Sequence, residues 1–205
     1  MYDSLKNENR RVLVIDDNDQ IHRDFQKILA TDRLEPRLLG DEALLFGGPA
    51  ISPATRRTFD VDTATQGEIG LKLVQEAVMQ NRPYAVAFVD MRMPPGWDGV
   101  TTIEHLWQAD PDLQVVICTA FSDHKWSDIV DRLGEGDQLL IVKKPFDVAE
   151  VSQAALALSS KWNMTQVARQ NVARLESQVR NRTREIQSAH EETINCLSAA
   201  SMYRD

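Results

Sequence analysis

The sequence predicts an α/β fold: a doubly wound, five-stranded parallel sheet followed by a long C-terminal coiled-coil helix. Three observations carry this. Short β-branched runs alternate with amphipathic stretches from Arg11 to about Ser160. Acidic, hydroxyl and ammonium side chains recur where those runs end. After Ser160, Gly and Pro vanish while Arg, Gln, Glu and Ala dominate.

The strand runs are Val12–Ile15, Thr58–Val61, Ala85–Val89, Leu113–Ile117 and Leu139–Val142. Continuous apolar runs of this kind belong to strands buried on both faces of a parallel sheet. Between and after them, Asp19–Thr31, Gln66–Asn81, Gly99–Gln108, Asp123–Leu133 and Asp147–Ser160 place apolar residues three and four apart, the spacing of one helical face. The stretch from about Asp32 to Arg57 breaks this rhythm with Pro36, Gly40, Gly47, Gly48, Pro49 and Pro53, and reads as an inserted loop. The expected organisation is therefore a domain over 1–160 with an insert at about 32–57, then a helical linker over 161–205.

In that linker, Ala168, Val172, Leu175, Val179, Arg182, Ile186, Ala189 and Thr193 alternate in steps of four and three, an imperfect coiled-coil seam. A lone helix of this length buries its seam only against a partner, so a homodimer through about 165–193 is expected.

Composition narrows the function. The 205 residues include 42% hydrophobic and 26% charged residues, which excludes collagen-like, mucin-like and disulfide-scaffold classes. Lys and Arg number 23 against 31 Asp and Glu, a net charge of −8, so no nucleic-acid partner is expected. Residues 161–205 hold seven basic and five acidic side chains, leaving −10 for residues 1–160. Cys118 and Cys196 have no metal-ligand or C-x-x-C spacing, and no apolar run could span a bilayer. A cytoplasmic protein with reduced thiols and no membrane partner is the expectation.

The strand ends carry the chemistry. The first run ends in Asp16-Asp17, the third in Asp90, the fourth in Thr119-Ala120 and the fifth in Lys143-Lys144-Pro145. Loops beyond the carboxyl ends of parallel strands gather functional groups, so these residues should converge at one edge. Three clustered carboxylates need a cation, and an all-oxygen set suits Mg²⁺. Asp90 would be the nucleophile that accepts a phosphoryl group, with metal and Lys stabilising the transferring oxygens and Thr119 contacting one of them. Each piece alone reads more simply: an Asp-Asp pair before a helix is usually a cap. Order and strand placement together favour the site. A haloacid-dehalogenase-type phosphatase would need an Asp-x-Asp arrangement on the first strand, whereas here the nucleophile candidate lies on the third.

Val12-Leu13-Val14-Ile15-Asp16-Asp17, Asp90-Met91-Arg92-Met93-Pro94 with Asp98-Gly99, Thr119-Ala120 and Lys144-Pro145-Phe146 together resemble the response-regulator receiver domain of two-component signalling, over roughly Arg10 to Ser160. The resemblance implies a flavodoxin-like fold with Asp90 as phosphoacceptor. It implies Mg²⁺ held by Asp17 directly, Asp16 through water, Asp90, and the backbone carbonyl of Arg92. It assigns catalytic roles to Thr119 and Lys144, a cis bond before Pro145, and a cognate histidine kinase or phosphotransfer protein as partner.

Three departures stand out. The segment Met93–Gly99 is one residue longer than the family spacing and should bulge or turn more tightly. Ile141 replaces the usual aromatic switch residue. Phe121 is bulky at a position that tunes loss of the phosphoryl group, which suggests slow hydrolysis.

The closing run Glu191–Asp205 resembles the opening helix of HD-GYP domains, which hydrolyse cyclic di-GMP at a metal centre; their metal-binding residues come after such a run. The expected output is thus a cyclic-di-GMP phosphodiesterase in the full-length parent, while this chain accepts a phosphoryl group without being an enzyme itself. The alternatives are a receiver coupled to a histidine kinase or diguanylate cyclase, or a stand-alone phosphorylation-gated interaction protein.

Overall fold

The computed structural model describes residues 8–30, 58–120, 126–134 and 136–202, with the side chains of 30, 126–128, 130 and those after 187 excepted. The 32–57 insert and Phe121 lie outside the described residues. Five strands, β1 (Arg11–Ile15), β2 (Asp60–Ala64), β3 (Val86–Asp90), β4 (Gln114–Thr119) and β5 (Leu139–Lys143), form one sheet. Among the described residues five helices accompany them: α1 (Asp19–Ala30), α2 (Gly67–Met79), α3 (Gly99–Ala109), α4 (Trp126–Leu133) and α5 (Val148–Met202). All pairings are parallel and the strand order is β2-β1-β3-β4-β5, the flavodoxin-like order.

Alternation along the strands sends successive side chains to opposite faces and so splits the core into two layers. Leu13 and Ile15 of β1, Ala87 and Val89 of β3, and Val115 and Ile117 of β4 pack on one face with Val74 of α2, Ile103 and Leu106 of α3 and Ile129 of α4. Val12, Val14, Phe88 and Val116 pack on the other with Phe25 and Leu29 of α1 and Val151, Ala155 and Leu158 of α5. Phe25 meets Phe88 and Phe146 edge-on, with ring centroids 4.9 and 5.3 Å apart.

Two elements differ from the expectation. β2 runs Asp60–Ala64 rather than Thr58–Val61, because its aspartates are compensated: Arg11 of β1 lies 3.5 Å from Asp60 and 2.7 Å from Asp62. The guanidinium also stacks 4.2 Å above the Tyr84 ring, whose hydroxyl donates to Asp62 at 2.7 Å. An edge strand tolerates such acidic residues when a cation lies beside them. The second difference is continuity: α5 is one helix of 55 residues with no interruption at Ser160.

The chain divides into two compact units, Met1–Asn163 and Met164–Asp205. In the first, Asn9, just before β1, is fastened to α5. The Asn163 side chain accepts from the Asn9 N–H at 2.8 Å and donates to the Asn9 carbonyl at 2.9 Å and the Ser159 carbonyl at 2.8 Å. Asn9 in turn donates to the Pro83 carbonyl and accepts from the Arg11 N–H. The second unit is helical through Met202.

Candidate phosphoacceptor site

Strand order reverses between β1 and β3, and the groups that end these two strands share one cleft. Asp16 and Asp90 are 2% and 8% exposed, whereas Asp17 faces solvent. One oxygen from each of the three carboxylates lies within 4.8 Å of the others. Lys144, just past β5, brings its Nζ to 2.7 Å from both Asp16 and Asp90. The second Asp16 oxygen accepts the Asn18 N–H at 2.9 Å, and the Asp16 N–H donates to the Ala64 carbonyl at 3.0 Å, so its position is fixed from both sides.

The electrostatics follow from burial. Burial raises the Asp90 pKa above the ordinary carboxylate range, and the Asp16 charge adds to this, while the Lys144 hydrogen bond and charge pull it back only partly. For Lys144, burial alone would lower the ammonium pKa. Its bonds and charge contacts to Asp16 and Asp90 outweigh that and leave it raised. Three carboxylates against one ammonium make an under-compensated, all-oxygen set with one solvent-facing member, which fits a hard cation that keeps several waters, such as Mg²⁺.

The loop after Asp90 is held at both ends. The Met91 N–H donates to the Cys118 carbonyl at 3.0 Å, and the Gly99 N–H donates to the Met91 carbonyl at 3.1 Å. Any Cβ at Gly99 would sit 2.6 Å from the Asp90 carbonyl oxygen and 3.0 Å from the Met91 Cα, so only glycine fits. Asp98 caps α3 by accepting the Thr101 N–H at 2.7 Å. The extra residue is taken up between these anchors, where a cis Pro94–Pro95 bond lies in a turn closed by the Gly96 N–H to the Met93 carbonyl at 3.1 Å. Trp97 stacks on His105 of α3 with centroids 4.2 Å apart, a loop-packing role.

The structure brings Asp16, Asp17, Asp90 and Lys144 together. Arg92 follows two residues after Asp90 in the anchored loop, with its side chain exposed. The Thr119 hydroxyl donates to the Ala120 carbonyl at 3.0 Å, and the Thr119 carbonyl accepts the Lys144 N–H at 2.8 Å, which ties the ends of β4 and β5 together. Lys144–Pro145 is cis and Lys143 is exposed. Ile141 packs partly buried against the α2–α4 side of the core. Sequence reasoning missed Asn18, whose backbone N–H fixes Asp16; backbone donors leave no signature in residue type.

Comparison with known proteins agrees with this architecture. The fold is similar to an adenylate cyclase from Rhodopirellula baltica (TM-score 0.57, 20% identity, covering 80% of this chain and 97% of that one). It is similar to the signal receiver domain of an HD domain-containing protein from Pseudomonas fluorescens Pf-5 (TM-score 0.56, 16% identity, 81% and 98% covered). A CheY-like receiver protein from Methanospirillum hungatei JF-1 matches with TM-score 0.53 at 17% identity, with 76% and 98% covered. No curated protein sequence matches. Residues 52–156, half of the chain, match the response regulator receiver domain family, and the preceding β1 pairs in parallel register with β2 and β3 of the same sheet. The chain therefore belongs to the response-regulator receiver family.

Proposed function

We propose that Asp90 accepts a phosphoryl group from a phosphohistidine of a histidine kinase or phosphotransfer protein, in a reaction that depends on Mg²⁺. The observation that carries this reading is the cleft itself: a buried carboxylate ending β3, with Asp16 and Asp17 oxygens within 4.8 Å and the Lys144 ammonium at 2.7 Å. An Asp90 oxygen attacks phosphorus, the phosphorus–nitrogen bond breaks, and the imidazole leaves with its electron pair and takes up a proton. Lys144 offers positive charge to the equatorial oxygens of the transferring group, and Thr119 offers its hydroxyl once it leaves the Ala120 carbonyl. Asp16, Asp17, Asp90 and the Arg92 carbonyl would hold the metal, which supplies neutralisation of the charge on those same oxygens.

The output reading rests on two supports. The run 191–205 resembles the start of an HD-GYP domain, and one similar fold is the receiver of an HD domain-containing protein. We infer that phosphorylation governs a dimer formed through 165–193, and with it a cyclic-di-GMP phosphodiesterase in the parent protein. A second reading, favoured by the likeness to an adenylate cyclase, places a nucleotide cyclase such as a diguanylate cyclase after the helix. The reading frame beyond Asp205 decides between them: a His and a later His-Asp pair indicate the phosphodiesterase, a cyclase motif the alternative.

The phosphoryl transfer is tested with acetyl phosphate and Mg²⁺. Intact mass should show one added phosphoryl group, labile to hydroxylamine, and the Asp90→Asn variant should gain none. A hydroxylamine-sensitive phosphate on Asp90→Asn would overturn the assignment.

A further inference from the structure

Residues 164–187 of α5 leave an apolar stripe uncovered: Val172 and Leu175 are 55% exposed, Val179 66% and Ile186 69%. In heptad terms, Val172, Val179 and Ile186 occupy a, while Ala168, Leu175, Arg182 and Ala189 occupy d. β-branched residues at a with Leu at d are the arrangement that two parallel helices bury well. Polar Thr165 and Thr193 stand at the ends of the seam, and the charged break within it is Arg182, a long cation near its middle.

The position of Arg182 discriminates among alignments. In any antiparallel pair, a faces d, so each copy's Arg182 would spoil its own layer, giving two. In a parallel pair shifted by one heptad, Arg182 would face Leu175 on one side and Ala189 on the other, again two layers. Only the parallel, unshifted pair confines both guanidinium groups to one layer. There the long stems cover the seam while the charged heads reach solvent at its rim. A single polar layer of this kind sets register at a cost in stability.

We infer that residues 165–193 pair with a second copy of this chain as a parallel, in-register two-stranded coil in which Arg182 forms the register-fixing layer. The inference rests on the homodimer proposed above. Its occupant is a second copy because an identical helix in register places Arg182 and the terminal Thr165 and Thr193 each opposite its like while matching Val172, Leu175, Val179 and Ile186 to themselves.

The test uses the full chain in a Cys196→Ser background. Val172→Cys and Ile186→Cys lie fourteen residues apart, roughly 21 Å along a helix. In the parallel, in-register coil each variant oxidises to a self-linked dimer. An antiparallel pair can self-link at one of these sites at most, and that result overturns the inference while leaving the dimer intact. Sedimentation should show Arg182→Leu tightening the dimer on the order of tenfold and admitting cross-links between Val172→Cys and Val179→Cys chains that the parent excludes. A weakened dimer on Arg182→Leu, with helix content retained, overturns the polar-layer role. A monomer at every concentration overturns both the inference and the dimer reading, and leaves the phosphorylation test of Asp90 separate.

Discussion

Lys144, rather than its neighbour Lys143, holds Asp16 and Asp90, since consecutive residues leave the end of β5 in opposite directions. That choice was legible in the sequence from the Lys-Pro-Phe motif, as were Asp16, Asp17 and Asp90 from their places at strand ends. The Thr119 hydroxyl bond to its neighbour's carbonyl was not, because a rotatable hydroxyl answers to local backbone geometry. Tyr84 shows a second residue-scale effect. Burial raises its pKa well above the ordinary value of 10.0, and its bond to Asp62 adds to the rise, with Arg11 opposing. The folded protein therefore keeps the phenol proton that the unfolded chain gives up. This contribution is complete below about pH 10 and is lost as pH rises toward the folded value. Urea denaturation across pH 9 to 11 should show stability falling more steeply for the native protein than for Tyr84→Phe, by up to about 1.4 kcal/mol per pH unit. Equal slopes would remove Tyr84 from the alkaline transition.

Among the elements, α5 belongs to two settings that a single periodicity does not separate. Its first turns bury Val151, Ala155 and Leu158 against the sheet, whereas Val172, Leu175 and Val179 are exposed. Leu158→Ala should cost about 2–4 kcal/mol in urea denaturation, the price of a cavity in a packed core. A loss near zero would mean that α5 is not held by the face that carries Leu158. Strands β1, β3 and β4 were readable as apolar runs because helices cover both their faces, and β5 kept such a run at the sheet edge although its Leu140 is exposed. β2 was displaced by two residues because its aspartates disguise it, and their compensation by Arg11 comes from a residue some fifty positions away. The turn at Pro94–Pro95 was foreseen as a length anomaly but not as a geometry, since proline fixes φ without fixing the isomer.

For the whole molecule, the balance between the two regions is legible in composition alone, with −10 over residues 1–160 and +2 over 161–205. Part of that negative charge is the cleft, where one ammonium faces three carboxylates, so a divalent cation that binds only the folded state should stabilise it. At Mg²⁺ a hundredfold above its dissociation constant, thermal unfolding should shift upward by roughly 5–10 °C, and Asp17→Asn should lose most of this shift. An equal shift in Asp17→Asn would place the cation elsewhere. No described helix is long and apolar enough to cross a membrane. The fastening of Asn9 to Asn163 has a consequence for how this unit can be carried within longer chains. Entry into the first strand and exit from the last receiver turn of α5 lie within one pair of hydrogen bonds, so the unit occupies a single point of attachment, like a bead tied at one knot. Such a unit can be spliced into a loop of another protein, or have its ends joined and reopened elsewhere, without pulling Asp16 away from Asp90.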